Sequence, residues 1–175
     1  MMWLDIHWYL KLLGLIKPKA LMIKINVIIN NKKWFNFIKN PNSYIDGKVK
    51  KLNQKKKKLK KNIFYCTLLL SGNKEILKLN TKFRKKRTTT DVLSFPFQTK
   101  KNLKKEMKKE KEIYLGDIII NLNKIKSNKQ NKNFKLEFNK LWVNGLIHLF
   151  GHDHKKEKDF VKMKKVESEY LNYIK

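Results

Sequence analysis

The stretch from Phe134 to Phe150 is apolar on almost every side, and no other feature constrains the fold so tightly. Phe138, Leu141, Trp142, Gly145 and Leu149 recur at helical spacing, while Val143, Leu146 and Ile147 fill the remaining faces. A helix apolar nearly all round is stable only when other elements cover all its sides. It therefore has to run through the middle of the molecule, with strands and helices layered around it. Gly151 follows and can end it in the left-handed conformation.

The remaining patterns supply those layers. Met22 to Asn30, Ile63 to Leu70, Thr90 to Phe97 and Tyr114 to Asn121 read as strands, from alternation or from short β-prone apolar runs. A short helix is expected over Trp34 to Ile38, stopped near Pro41. Asn73 to Phe83 reads as a helix capped by Ser71, with Ile76, Leu77 and Leu79 inward. Lys155 to Ile174 reads as a last amphipathic helix, with Phe160, Met163, Val166, Tyr170 and Ile174 inward. Residues 47–62 are lysine-rich, either a solvated helix face or a basic loop. Residues 99–111 are expected to be a basic, charge-rich loop. Interleaved strands and helices give an α+β class built on a small mixed sheet.

The chain has 175 residues and 41% hydrophobic content, enough for one domain with a real core. The expected division is an N-terminal extension over 1–21 and a single domain over 22–175. Residues 1–21 are apolar but broken by Asp5, His7 and Lys11. They are too short and interrupted to span a bilayer, and they lack the basic and small-residue signature of a signal peptide. Met22 is the expected true start, with an amphipathic interfacial segment as the rival reading. The single cysteine, Cys66, cannot form an internal disulfide, which fits a reducing cytoplasm. Its apolar surroundings mark it as a small buried hydrophobe.

The formal charge is +29. AT-rich codons for Lys, Asn and Ile account for part of it, yet a basic surface remains and attracts polyanions such as RNA. Of 43 basic residues, only Arg84 and Arg87 are arginine. A guanidinium offers a planar fork for phosphate that an ammonium cannot match. Arg84 is thus a candidate catalytic group that would neutralise charge on a reacting phosphate, with Lys86 and Arg87 as candidate RNA-binding contacts.

Three of the four histidines, His148, His152 and His154, fall within one short segment, Asn144-Gly-Leu-Ile-His-Leu-Phe-Gly-His-Asp-His154. Positions 144 and 148 lie a helical turn apart on one face. A glycine reversal at 151 brings His154 back toward His148, giving three corners for a metal ion. This is the spacing of zinc sites in metzincin proteases, so the expected architecture is zincin-like. Two departures matter. Gly145 stands where a protease needs its glutamate base, which disfavours a peptidase. Asn144 stands at the first ligand position, and an amide oxygen is a weaker zinc ligand than imidazole. His152 is a candidate substitute ligand. Asp153 could orient a ligand imidazole, or simply form the turn. Asp117 reads as a strand-entry residue.

These residues resemble the YbeY-type endoribonucleases, the bacterial rRNA maturation factors. That family carries H-G-x-L-H-L-x-G-[YH]-D-H, matched by Asn144 to His154 except at its first position. It also carries L-N-x-x-[YF]-R followed by T-[DN]-V-L-S-F-P, matched by Leu79 to Arg84 and Thr90 to Pro96. Leu115 to Ile118 matches an L-G-D-[IL] strand, and Met163 and Glu167 fit its last helix. The resemblance implies a single-strand-specific endoribonuclease in 16S rRNA 3′-end maturation and ribosome quality control. It implies one Zn²⁺ held by three histidines, of which His148 and His154 are present. It places the functional arginine at Arg84. The implied partners are rRNA and the small ribosomal subunit, with no membrane and no small-molecule cofactor. The alternative is a catalytically weakened RNA- or ribosome-binding assembly factor with a degenerate metal site.

Overall fold

The computed structural model describes residues 22–55, 62–125, 133–153 and 157–175. The expected extension 1–21 and His154 lie outside the described residues. The described residues form a mixed α+β fold around a four-stranded sheet.

Strand β1 (Met22–Ile29) alternates as its sequence does, burying Ile23 and Ile25 and exposing Met22 and Lys24. It runs parallel to β2 (Ile63–Ser71), and β2 runs parallel to β4 (Glu112–Asn121). The short β3 (Val92–Pro96) pairs antiparallel to β4 at the edge, giving the order β1-β2-β4-β3. Parallel neighbours need helical crossovers. The first crossover contains α1 (Pro41–Lys55), which buries Ile45, Val49 and Leu52 at helical spacing. Pro41 starts this helix instead of stopping the one before it. Proline has no amide hydrogen to leave unpaired at the first helical position, and the Asn40 side chain accepts from Ser43 N at 2.9 Å. The expected Trp34 to Ile38 helix is a single 3₁₀ turn, Lys32–Asn36.

The second crossover holds α2 (Asn73–Arg84). Its N-cap is Gly72, because Ser71 stays buried in the sheet with its hydroxyl on Ile120 O. Ile76 packs with Leu93 and Ile119 on one sheet face, whereas Leu77, expected inward, is exposed. The other face carries the main core, covered by α1, by α4 (Phe134–Leu149) and by α5 (Glu157–Tyr173). In α5, Met163 and Tyr170 are buried, but Phe160 is exposed at the helix start.

The lysine-rich segment expected as a loop is a helix, α3 (Lys100–Lys109). Thr99 caps it by accepting from Asn102 N at 3.3 Å. Lysine, glutamate and methionine are good helix formers. Leu103 and Met107, one turn apart, give it an apolar edge, of which Leu103 is buried. Net charge obscured a short helix that needs only that edge to dock.

Helix α4 is the buried helix its sequence demands. Phe138, Trp142, Val143 and Leu146 are fully enclosed. Gly145 lies against β4: a Cβ there would sit 2.6 Å from Ile118 Cγ2. The helix packs this closely because position 145 lacks a side chain. Any larger residue there, glutamate included, would run into the sheet.

Candidate active groove

Helix α4 ends in a Schellman motif. Gly151 N donates to His148 O at 2.9 Å and His152 N donates to Ile147 O at 3.2 Å, with Gly151 at φ +80°. This reversal folds His152 back over the helix end. The carbonyl of His152 then accepts from His148 Nδ1 at 2.9 Å. A carbonyl can only accept, so Nδ1 carries the proton and the neutral ring has its lone pair on Nε2. A glycine is required twice over at 151, since a Cβ would also lie 2.8 Å from Lys100 Cβ. The turn and the start of α3 are therefore packed together.

The opposite wall comes from α2 and β3. Arg84 is the last residue of α2, and Lys85 leaves the helix at φ 57°. Asn80 holds this exit together. Its carbonyl accepts from Lys86 N at 3.2 Å, and its buried side chain donates to Thr88 O at 2.7 Å. Arg84 Nη2 donates to Ser94 O at 3.3 Å, and its guanidinium lies 5.9 Å from the Phe95 ring centre. Phe83 packs edge-on against the same ring, with 5.4 Å between centres. The arginine is thereby tied to β3. At the start of β3, Asp91 Oδ1 accepts from Val92 N at 2.8 Å and from the Thr90 hydroxyl at 3.0 Å. Near the other end, Gly116 approaches so closely that a Cβ would lie 2.1 Å from Phe95 O.

Between these walls lies a groove of about 890 Å³, lined by Arg84, Asp91, Ser94, Lys100, Asn144 and His148, among others. Asn144 thus sits one turn before His148 on the same wall. His152 and Asp153 also line it. Burial, then the positive charge of Lys100, then His148, hold the His152 pKa below the usual imidazole value. The neutral ring is favoured there.

The groove brings together Arg84, Asn144, His148 and Asp153. Lys86 and Arg87 are exposed on the loop after α2 and do not line the groove. Asp117 is elsewhere, accepting from the Tyr114 hydroxyl at 2.6 Å. Lys100, Thr99 and Gln98 line the groove without having been singled out in sequence. Their signal was the Thr99 cap, which also fixes Lys100 at the helix start. Gln98 is tied to Glu106 on α3 by a side-chain hydrogen bond. Among the described residues no group of three or more His, Cys, Asp or Glu is placed to hold a metal. No helix among them is long and apolar enough to cross a membrane.

A sequence model of the family described as Endoribonuclease YbeY matches residues 28–175. A protein of Pelagibacter ubique (strain HTCC1062) named "Endoribonuclease YbeY" is 43% identical over 157 residues, covering 88% of this chain and 97% of that protein. One of the same name from Ehrlichia canis (strain Jake) is 30% identical over 159 residues, covering 87% and 93%. The solution structure of a Thermotoga maritima protein superposes with a TM-score of 0.54 at 19% identity, covering 86% of this chain and 89% of that one, a likeness of fold. With a match from 28 to 175 and relatives aligned over nearly their full length, the chain belongs to the Endoribonuclease YbeY family.

Proposed function

We propose that the groove binds single-stranded RNA and hydrolyses one of its phosphodiester bonds, in 16S rRNA 3′-end maturation and ribosome quality control on the small ribosomal subunit in the cytoplasm. The observation that carries this reading is that Arg84 and His148, from distant parts of the chain, line one groove. Arg84 is the phosphate-binding group. Its tie to Ser94 and Phe95 fixes the guanidinium before substrate arrives, so charge developing on the phosphoryl oxygens meets a preorganised donor. Lys100 adds a second cation on the same groove. Lys86 and Arg87 extend the basic path beyond it, where they would hold flanking phosphates.

The relevant metal is Zn²⁺, in a zincin-like arrangement. The described donors fit it in part. His148 has the right chemistry, since donating its Nδ1 proton to a carbonyl makes Nε2 the nitrogen with the character of a metal ligand. Asn144, one turn earlier on the same groove wall, offers an amide oxygen, a weak corner for zinc. His154, outside the described residues, would be the other imidazole, and His152 is the substitute. Bound zinc would lower the pKa of a water and polarise a phosphoryl oxygen. The chain's own contribution is to hold the phosphate at Arg84 and fix the His148 tautomer through His152 O. Asp153 stands at the rim to orient an imidazole.

The test is a calorimetric zinc titration of the wild type beside Asn144→His, with cleavage of a single-stranded rRNA fragment followed in parallel. The substitution is expected to tighten zinc about 10- to 100-fold, the size of effect seen for changes around metal ligands. It should also speed cleavage. RNA binding without cleavage in both proteins would contradict the enzymatic reading and favour a binding-only assembly factor.

A further inference from the structure

Beside the groove lies a second cavity, of about 250 Å³, enclosed by β2, α3, α4 and α5. Its apolar walls include Phe64, Leu103, Met107, Phe150 and Val166, and Tyr170 also lines it. Phe64 and Phe150 meet edge to face, with ring centres 5.2 Å apart. Met107, Phe150 and Val166 are only partly buried, so they leave apolar surface that the core does not cover. Lys100 and Lys104, one turn apart on α3, also line it and are exposed. No carboxylate lines it. Lys100 and His152 line both this cavity and the groove, so the two are neighbours across these side chains.

We propose that this pocket receives the base of a nucleotide next to the scissile phosphate, making it the base-selecting subsite of the enzyme. The inference rests on the RNA-cleaving reading of the groove. Sequence-selective proteins read single-stranded RNA by splaying bases out and stacking them on aromatic side chains. The cavity is several times one water's share of liquid volume, about 30 Å³. It is below the 300–1,000 Å³ of drug-sized sites. One flat ring system fits, and a dinucleotide does not. The apolar walls suit the faces of a base, while the two ammonium groups suit the phosphates that lead to and from it. A base turned past His152 enters the pocket while its phosphate stays with Lys100 and Arg84. His152, on the dividing wall, supplies ring nitrogens for the base edge.

The experiment uses the full chain and single-stranded oligoribonucleotides carrying 2-aminopurine at one position at a time. A parallel set carries one abasic site at a time. Val166→Phe and Met107→Trp fill the pocket from two different helices, which guards against a folding defect in either. At one position near the cleaved bond, 2-aminopurine fluorescence should be quenched on binding. An abasic site at that position should slow cleavage about 5- to 150-fold, the range of a single aromatic stacking contact. Both filled variants should lose the quench, and should cleave the intact and the abasic oligonucleotide at rates that no longer differ. The pocket assignment is overturned if no position stands out, or if the filled variants keep the dependence. If the wild type binds but cleaves nothing, the nuclease reading falls, and the fluorescence arm still decides whether a base enters the pocket.

Discussion

Single residues carry much of this design, and the glycines show how. In sequence, Gly145 stands out as a missing catalytic glutamate. The structure gives it a positive role, letting the central helix touch Ile118 with no space between. Gly145→Ala should destabilise the protein by about 1–3 kcal/mol through overpacking, measured by urea denaturation. Combining it with Ile118→Ala, which removes the Cγ2 methyl, should cost less than the two changes summed, and strict additivity would argue against the contact as its cause. Asn80 was visible only as a letter in a motif. Its role is to close the turn after Arg84, with its side chain buried at 3% exposure and bonded to Thr88 O. Asn80→Leu removes that donor to Thr88 O, a cost of about 1 kcal/mol for one hydrogen bond. Cleavage should fall further than stability, because the turn that follows Arg84 loses its closing bond. An Asn80→Leu protein that cleaves RNA at the wild-type rate would show that the turn does not position the arginine.

At the level of elements, legibility followed the strength of the hydrophobic period. The all-round apolar pattern of α4 and the β-prone run of β2 left one physical solution each, and both appear with bounds within a residue. Where charge masks a weak apolar edge, the pattern misleads. Helix α3 buries Leu103 and carries lysines elsewhere, so composition pointed to a loop while the Thr99 cap and helix-forming residues decided the outcome. Pro41 was misjudged because proline stops a helix from within and favours one from its first position. The groove was half legible. The spacing from Asn144 through Gly151 fixes the helix-end wall locally. The β3 wall with Lys100, and the pocket beneath α3, depend on long-range packing that no local spacing encodes.

For the whole molecule, the core contains two acidic groups that resist ionisation. Burial, with the negative charge of Asp117 adding to it, pushes the Cys66 thiol from its ordinary 9.0 to about 12. Burial, then Glu169 and Tyr173, push the Tyr170 hydroxyl from 10.0 to about 12. The unfolded chain releases these protons at the lower pH. Their stabilisation is therefore fully present below pH 9 for the thiol and below pH 10 for the phenol, and each is lost as pH rises toward 12. At about 1.4 kcal/mol per pH unit per group, stability should fall on the order of 4 kcal/mol between pH 9 and 11. Urea midpoints measured across that range check it, and Cys66→Val with Tyr170→Phe should flatten the slope. A wild-type midpoint that is level to pH 11 would mean the core admits water.

The most direct test of the groove is the single-turnover cleavage rate of single-stranded rRNA by Arg84→Ala beside the wild type. Arg84 and His148 line the groove together only because β3, to which Arg84 at the end of α2 is tied, packs against α4. Removing one preorganised donor to developing charge typically lowers a rate about 10²- to 10³-fold. A loss of that size, with the fold intact by circular dichroism, is the predicted result. Cleavage by Arg84→Ala at the wild-type rate would contradict it, because the bond would then be cut without the guanidinium in the groove.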